Sequence, residues 1–218
     1  MTTTQTTDRT AGFFDRYAQD FDAIYGTRNT PVHRIINTLF RGSMRKRYMM
    51  SLEGCEPVRD RTVLDIGCGP GHYSVELARR GAARVLGIDF ADGMLDIARQ
   101  SATRASVQDR CEFRRADFFK DSFNETFDYV IAMGFMDYVA DPKTVIEKAL
   151  GLARSRAFFS FPLAGGLLAW QRQLRYRTRC DLYLYTENQV RTVFANTPAK
   201  RVDVIQADRD LFVTAHLT

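Results

Sequence analysis

The segment Val63-Leu-Asp-Ile-Gly-Cys-Gly-Pro-Gly71 carries the densest chemical information in the chain. An apolar run meets three glycines spaced G-x-G-x-G (Gly67, Gly69, Gly71), and the pattern predicts a helix from about His72. Glycines at such a bend let the backbone turn sharply and approach a ligand closely. The spacing is not G-x-G-x-x-G and no Walker lysine comes after it, so a pyrophosphate cradle is a poor match. The next apolar run, VLGID, ends in Asp89, a carboxylate placed to accept from both hydroxyls of a ribose. A third run ends in Ala116-Asp117-Phe118, where Asp117 can accept from an exocyclic adenine amine and Phe118 offers an apolar wall. A fourth ends in Ala132-Met133-Gly134, which would lie under the ligand. All four positions fall at the C-terminal ends of predicted strands, where open α/β sheets bind ligands.

Each residue also has a plainer reading. Cys68 suits a small apolar filler, and Met94 suits a core position. Asp65 can serve the dipole of the adjoining helix, and Asp117 can cap a turn. His72 comes directly after the glycine loop and can touch either ligand. His33 and His216 read as ordinary helix and chain-end positions.

The elements that must position these residues are set by periodicity. Strands are predicted over 62–67, 84–89, 111–116, 127–133 and 156–161, with helices over 71–80, 92–105 and 142–153 between them. Gly81 sits where a left-handed C-cap belongs. Asp141-Pro142 is an N-cap followed by proline at the first helical position. Thr186 and Gln189 have capping-box spacing and open a helix over 187–196. Residues 200–207 and 210–217 read as a closing hairpin. This alternation implies an α/β fold: a mainly parallel sheet with helices on both faces and an antiparallel strand at its end. Before it, steps of three and four predict helices over 11–26 and 31–52. Together they form an N-terminal helical cap, 1–58, ahead of a main domain, 59–218.

Composition bounds the rest. The chain has 218 residues, 45% hydrophobic and 26% charged, which is globular usage. The net charge of +5 permits an anionic ligand without indicating nucleic acid. No apolar run is long enough to span a bilayer, and the polar start lacks a secretory core. Cys55, Cys68, Cys111 and Cys180 form no CxxC pair and no Cys/His cluster. No metal site is expected, and a reducing cytoplasm fits best.

VLDIGCGPG (63–71), Asp89 in GIDF, Met94 in ADGML, Asp117 in RADFF and FDYVIAM (127–133) together resemble class I S-adenosylmethionine-dependent methyltransferases. The resemblance is closest over 61–161. It implies a Rossmann-like seven-stranded sheet whose last strand is antiparallel, and S-adenosyl-L-methionine as cofactor. It further implies that Asp65 and Gly67 face the methionine end and Asp89 the ribose. Phe90 and Met94 would line the adenine, and Asp117 and Phe118 would recognise its edge. Tyr17, Tyr25 and Tyr138 are candidates for an aromatic wall that stabilises the sulfonium.

A methyl acceptor must enter above the strand ends, beneath the N-terminal helices and the segment 162–185 that comes after the fifth strand. That segment holds Trp170 and four arginines, Arg175 among them; a second basic cluster is Arg41, Arg45, Lys46 and Arg47. Solvated surface charge is the default reading of both. If either faces the pocket, the acceptor is anionic. Within the family, the two N-terminal helices and the aromatic-basic insertion resemble small-molecule methyltransferases such as the magnesium-protoporphyrin and quinone-precursor enzymes. Where those groups tend to place a histidine after the fourth strand, this chain has Tyr138, beside Asp137. Either Asp137 or Tyr138 does the work of a base, another residue such as His72 replaces it, or the substrate differs, so neither a porphyrin nor a quinone substrate is assigned. The expected function is methyl transfer to an oxygen or nitrogen of a small acceptor by a monomer or homodimer. The alternatives are a nucleic-acid or protein methyltransferase, a nicotinamide oxidoreductase, disfavoured by the glycine spacing, and a non-catalytic cofactor-binding protein.

Overall fold

The structure is a computed structural model and describes residues 44–165 and 182–218. In chain order these form helix α1 (44–54), β1 (Thr62–Ile66), α2 (His72–Arg79), β2 (Arg84–Asp89), α3 (Asp92–Arg104), β3 (Cys111–Arg115) and β4 (Phe127–Ala132). A short 3-10 turn (Met136–Tyr138), α4 (Pro142–Leu152), β5 (Ala153–Pro162), α5 (Glu187–Phe194), β6 (Arg201–Ala207) and β7 (Asp210–His216) complete them. The strands make one sheet in the order β3-β2-β1-β4-β5-β7-β6. Every pairing is parallel except those of β7, which runs antiparallel to both neighbours. The expected seven-stranded sheet with an antiparallel last strand is thus the observed one.

Strand alternation divides the core in two. Leu64, Ile66, Leu86, Ile88, Val130 and Phe159 face α4 and α5. Val63, Val85, Tyr129, Ile131, Phe158 and Phe212 face α1 and α2. Helix starts obey the sequence signals. Asp141 caps α4 by accepting from the Lys143 N–H, and Thr186 with Gln189 forms a complete capping box on α5. The one strand begun too late in the sequence reading is β5. It starts at Ala153, directly after α4, because no turn residue separates them.

Within the described residues, the stretch ahead of the expected boundary at 58 packs on the sheet. Leu52, Cys55 and Val58 are fully buried in the α1/α2-side core with Val63, Phe158 and Phe212. A Cβ on Gly54 would stand 2.5 Å from the Phe158 ring, so α1 lies directly on the sheet. Residues 44–58 are therefore part of the sheet's covering layer. The rest of the predicted cap, with Tyr17 and Tyr25, lies outside the described residues, as do Trp170 and Arg175 of the insertion.

Candidate active site

The glycine loop is shaped by backbone conformations that only glycine adopts at low cost. Gly67 has φ +66°, and a Cβ there would meet the Phe135 ring at 2.8 Å. Gly69 has φ +51°, and no described residue comes within 4 Å of its Cβ position. Gly71, also left-handed, is the N-cap of α2.

Asp89 ties this loop to the end of β2. One carboxylate oxygen accepts from the Gly69 N–H and the other from the Ala91 N–H, both at 2.9 Å. A carboxylate oxygen can accept more than one hydrogen bond, the capacity a pair of ribose hydroxyls would use. The Cys68 N–H donates to the Ile88 carbonyl, so the loop is held to β2 twice. The Cys68 side chain packs with Leu95, Ala98 and Phe113, and burial pushes its thiol well above the ordinary range. What Cys68 offers a ligand at the loop is its backbone, because the thiol serves as core.

Asp65 lies on the α1/α2 face of β1, 1% exposed, and accepts from the Ser74 hydroxyl at 2.6 Å. Burial, with the Asp89 charge adding to it and the Ser74 bonds opposing, pushes its carboxyl up to about 7. It braces the first turn of α2 against the strand end. Burial lowers the His72 pKa.

Asp117 sits in a tight turn of its own making. Its side chain accepts from the Phe119 N–H at 3.0 Å and pairs with Lys120 at 3.1 Å, while its own N–H donates to Asp121 at 2.8 Å. The turn-cap reading thus describes its present partners, and its oxygens retain acceptor capacity. The Phe118 ring differs from the expected wall. It is buried among Phe123 and Phe135, and the ring open to solvent is Phe119, 44% exposed and stacked on Phe135 at 6.0 Å. The sequence reading names neither Phe119 nor Phe135; a run of two phenylalanines, Phe118 and Phe119, does not say which one turns inward. Met94 is buried beside Ala91 with Phe90 and Ile97 against it, and Met133 is buried on the α1/α2 side.

Arg47 belongs to the basic cluster for which solvated surface charge is the default sequence reading and a pocket-facing role the alternative. Arg45 and Lys46 are exposed, whereas the Arg47 side chain is 12% exposed. Its Nη1 donates to Asp210 at 3.1 Å and to Ser160 at 3.4 Å, and Ser160 accepts in turn from the Gly134 N–H at 2.8 Å. Its buried Nε has no hydrogen-bond partner among the described residues. Burial opposes the guanidinium's charge, while Tyr73, Asp210 and Asp137 hold it protonated. A signal for this was present: Arg47, Ser51 and Cys55 recur at steps of four, the buried stripe of α1.

The turn after β4 places Asp137, buried, and Tyr138, partly buried, at the same end of the sheet. Tyr183 donates its N–H to the Asp137 carbonyl, and the Tyr185 hydroxyl donates to the Val139 carbonyl at 2.6 Å. Tyr185 also makes backbone bonds with Pro162 and Ala164. The chain therefore leaves β5 and re-enters described structure beside the Asp137 turn. Among the described residues no His/Cys/Asp/Glu cluster could hold a metal ion, and no helix is long and apolar enough to cross a membrane.

Residues 63–155 match a family profile described as a methyltransferase domain. The curated ubiquinone biosynthesis O-methyltransferase of Neisseria meningitidis serogroup C is 36% identical over 112 residues, 50% of this chain and 47% of that protein. The protein of the same name from Hahella chejuensis is 36% identical over 104 residues, 46% and 42% of the two chains. A crystal structure of magnesium protoporphyrin IX methyltransferase (ChlM) from Synechocystis PCC 6803 with bound SAH superimposes with TM-score 0.74. It is 20% identical and covers 95% of this chain and 98% of its own. Over residues 63–155 the chain is similar to methyltransferase domains. The chain spans about half the length of the curated relatives it matches. The methyltransferase profile takes in the glycine loop, Asp89, Asp117 and Asp137. It leaves out Arg47, Ser160 and Asp210, which the fold brings to the same strand ends.

Proposed function

We propose that this protein transfers the methyl group of S-adenosylmethionine to an oxygen or nitrogen atom of a small acceptor. The observation that carries the reading is the Asp89 clamp: a buried carboxylate fixing Gly69 and Ala91 at the strand ends. Asp89 holds the ribose, and the 117–121 turn faces the adenine edge. Arg47 holds the methionine carboxylate. Its buried guanidinium has an Nε without a partner among the described residues, and carboxylate recognition is the strength of that group. Phe119 and Phe135 form an apolar wall beside the loop, Gly67 lying against Phe135.

Bound S-adenosylmethionine supplies a methyl group on a positively charged sulfur. The protein aligns the acceptor with it, and alignment alone can contribute about 7–11 kcal/mol. Asp137 or Tyr138, on the turn that also meets the returning insertion, takes the proton of an oxygen or nitrogen nucleophile. The acceptor is a small molecule, anionic or aromatic, with the insertion's Trp170 and Arg175 and the N-terminal Tyr17 and Tyr25 as candidate contacts. Among the described residues the thiols of Cys55, Cys68 and Cys111 are free, which suits a reducing cytoplasm.

The test has two stages. Calorimetry with S-adenosylhomocysteine should give binding that Asp89→Ala weakens. Radiolabelled S-adenosylmethionine incubated with phenol, carboxylate and amine panels should then label a small product. Tight NADH binding with no S-adenosylhomocysteine binding would overturn the reading.

A further inference from the structure

We infer that Lys148, on α4, is a positioning residue for nucleobase recognition, holding the 117–121 turn in the shape that reads the adenine edge. This rests on the proposed adenine role of that turn and adds a residue outside it. The Lys148 ammonium donates to the Phe118 carbonyl at 2.5 Å and to the Asp121 carbonyl at 2.6 Å. Its remaining side faces aromatic rings, 4.8 Å from the Phe118 centroid and 5.3 Å from that of Phe123. One compact cation thus joins two carbonyls of the turn, those of Phe118 and Asp121, and lies against the Phe118 and Phe123 rings, a task matched to three donors on a point charge.

Asp121 accepts from the Asp117 N–H, Asp117 accepts from the Phe119 N–H, and Lys120 pairs with Asp117 from the exposed side. The start of the turn is tied to the fold by the buried Phe118 ring and by the Ala116 N–H, which donates to the Asp89 carbonyl at 2.9 Å. Lys148 adds a tie at the Asp121 end, from a helix whose residues Val145, Ile146, Ala149 and Leu150 are embedded in the core. The Asp117 carboxylate and the backbone at Phe118 are thereby referred to the rigid part of the molecule. Precise recognition of a base edge requires such fixation, since small displacements forfeit hydrogen bonds.

The test compares affinities for S-adenosylhomocysteine and S-inosylhomocysteine, which carries a carbonyl where adenine has its amine. The wild-type protein should prefer the adenosyl compound by about tenfold or more, the worth of a hydrogen bond to a carboxylate. Lys148→Met keeps the stem and loses the donors, and should reduce the preference to about threefold or less. Lys148→Gln retains donors without charge, should show a partial loss, and serves if the methionine variant does not fold. A lowered unfolding midpoint with the preference intact in both variants overturns the proposal and leaves Lys148 merely structural. Asp117→Ala separates the two levels. If it abolishes the preference and the Lys148 variants do not, the positioning role alone fails. If the wild type shows no preference, the adenine assignment of the turn fails and the inference with it.

Discussion

Replacing Asp89 by alanine tests the clamp at its centre. The carboxylate is 9% exposed and accepts two backbone N–H groups at 2.9 Å. Hydrogen bonds to a charged group contribute about 1.5–3 kcal/mol each. Losing the acceptor affects the two donors differently. No described residue covers the Gly69 face, where water can replace the lost partner. Ala91 is fully buried, and its N–H would be left without the Asp89 acceptor. The expected destabilisation is therefore roughly 2–4 kcal/mol, most of it from the Ala91 side. Binding of S-adenosylhomocysteine should weaken by a further 1.5–3 kcal/mol, or about ten- to a hundredfold, through loss of the ribose contact. Asp89→Asn keeps one oxygen and should fall between wild type and alanine on both measures. Urea titration monitored at two wavelengths gives the first quantity and isothermal calorimetry the second. A variant destabilised as expected but binding with unchanged affinity would show that Asp89 organises the loop without touching the ligand, and the ribose assignment would be wrong.

The same geometry yields other expected outcomes. Arg47→Met takes the guanidinium away from Asp210, 3% exposed, and should cost about 3–5 kcal/mol. Adding Asp210→Asn should restore most of the stability but not the affinity for S-adenosylhomocysteine; recovery of both would remove Arg47 from the ligand site. Asp65, with its carboxyl raised from the ordinary 3.8 to about 7, binds a proton in the folded state that the unfolded chain has already released. Its contribution to stability therefore declines as pH rises from about 4 to 7 and is flat above that. Urea midpoints of wild type should fall relative to Asp65→Asn over this window, and parallel profiles would contradict the assignment. Phe119→Ala removes an exposed ring, so stability should change by less than about 1 kcal/mol while S-adenosylhomocysteine affinity drops several-fold. An unaltered affinity in calorimetry would place Phe119 outside the ligand wall.

Strand and helix positions were legible because their signals are local. Alternating apolar runs, Asp141-Pro142, and the Thr186–Gln189 box each act within a few residues, and the structure places elements within a few residues of them. The glycine loop and Asp89 were legible for the same reason, since backbone conformation and strand ends can be read along the chain. Orientation was not. Two neighbouring rings, Phe118 and Phe119, have similar local preferences, and only packing against Phe123 and Phe135 sends one inward. Asp117 could be read as adenine acceptor or turn cap, and its present partners are those of a cap.

By itself the sequence determined an open, mainly parallel α/β sheet with a glycine bend and carboxylates at its C-terminal edge. Tertiary structure decided which distant groups join that edge. Arg47 and Asp210 are separated by 163 residues, and no pattern along the chain couples them. They meet because α1 lies on the same sheet face to which Ser160 and Asp210 point, an outcome of strand order and the two-residue side-chain period acting together. A buried charge needs a partner, and the fold supplies it from across the sheet.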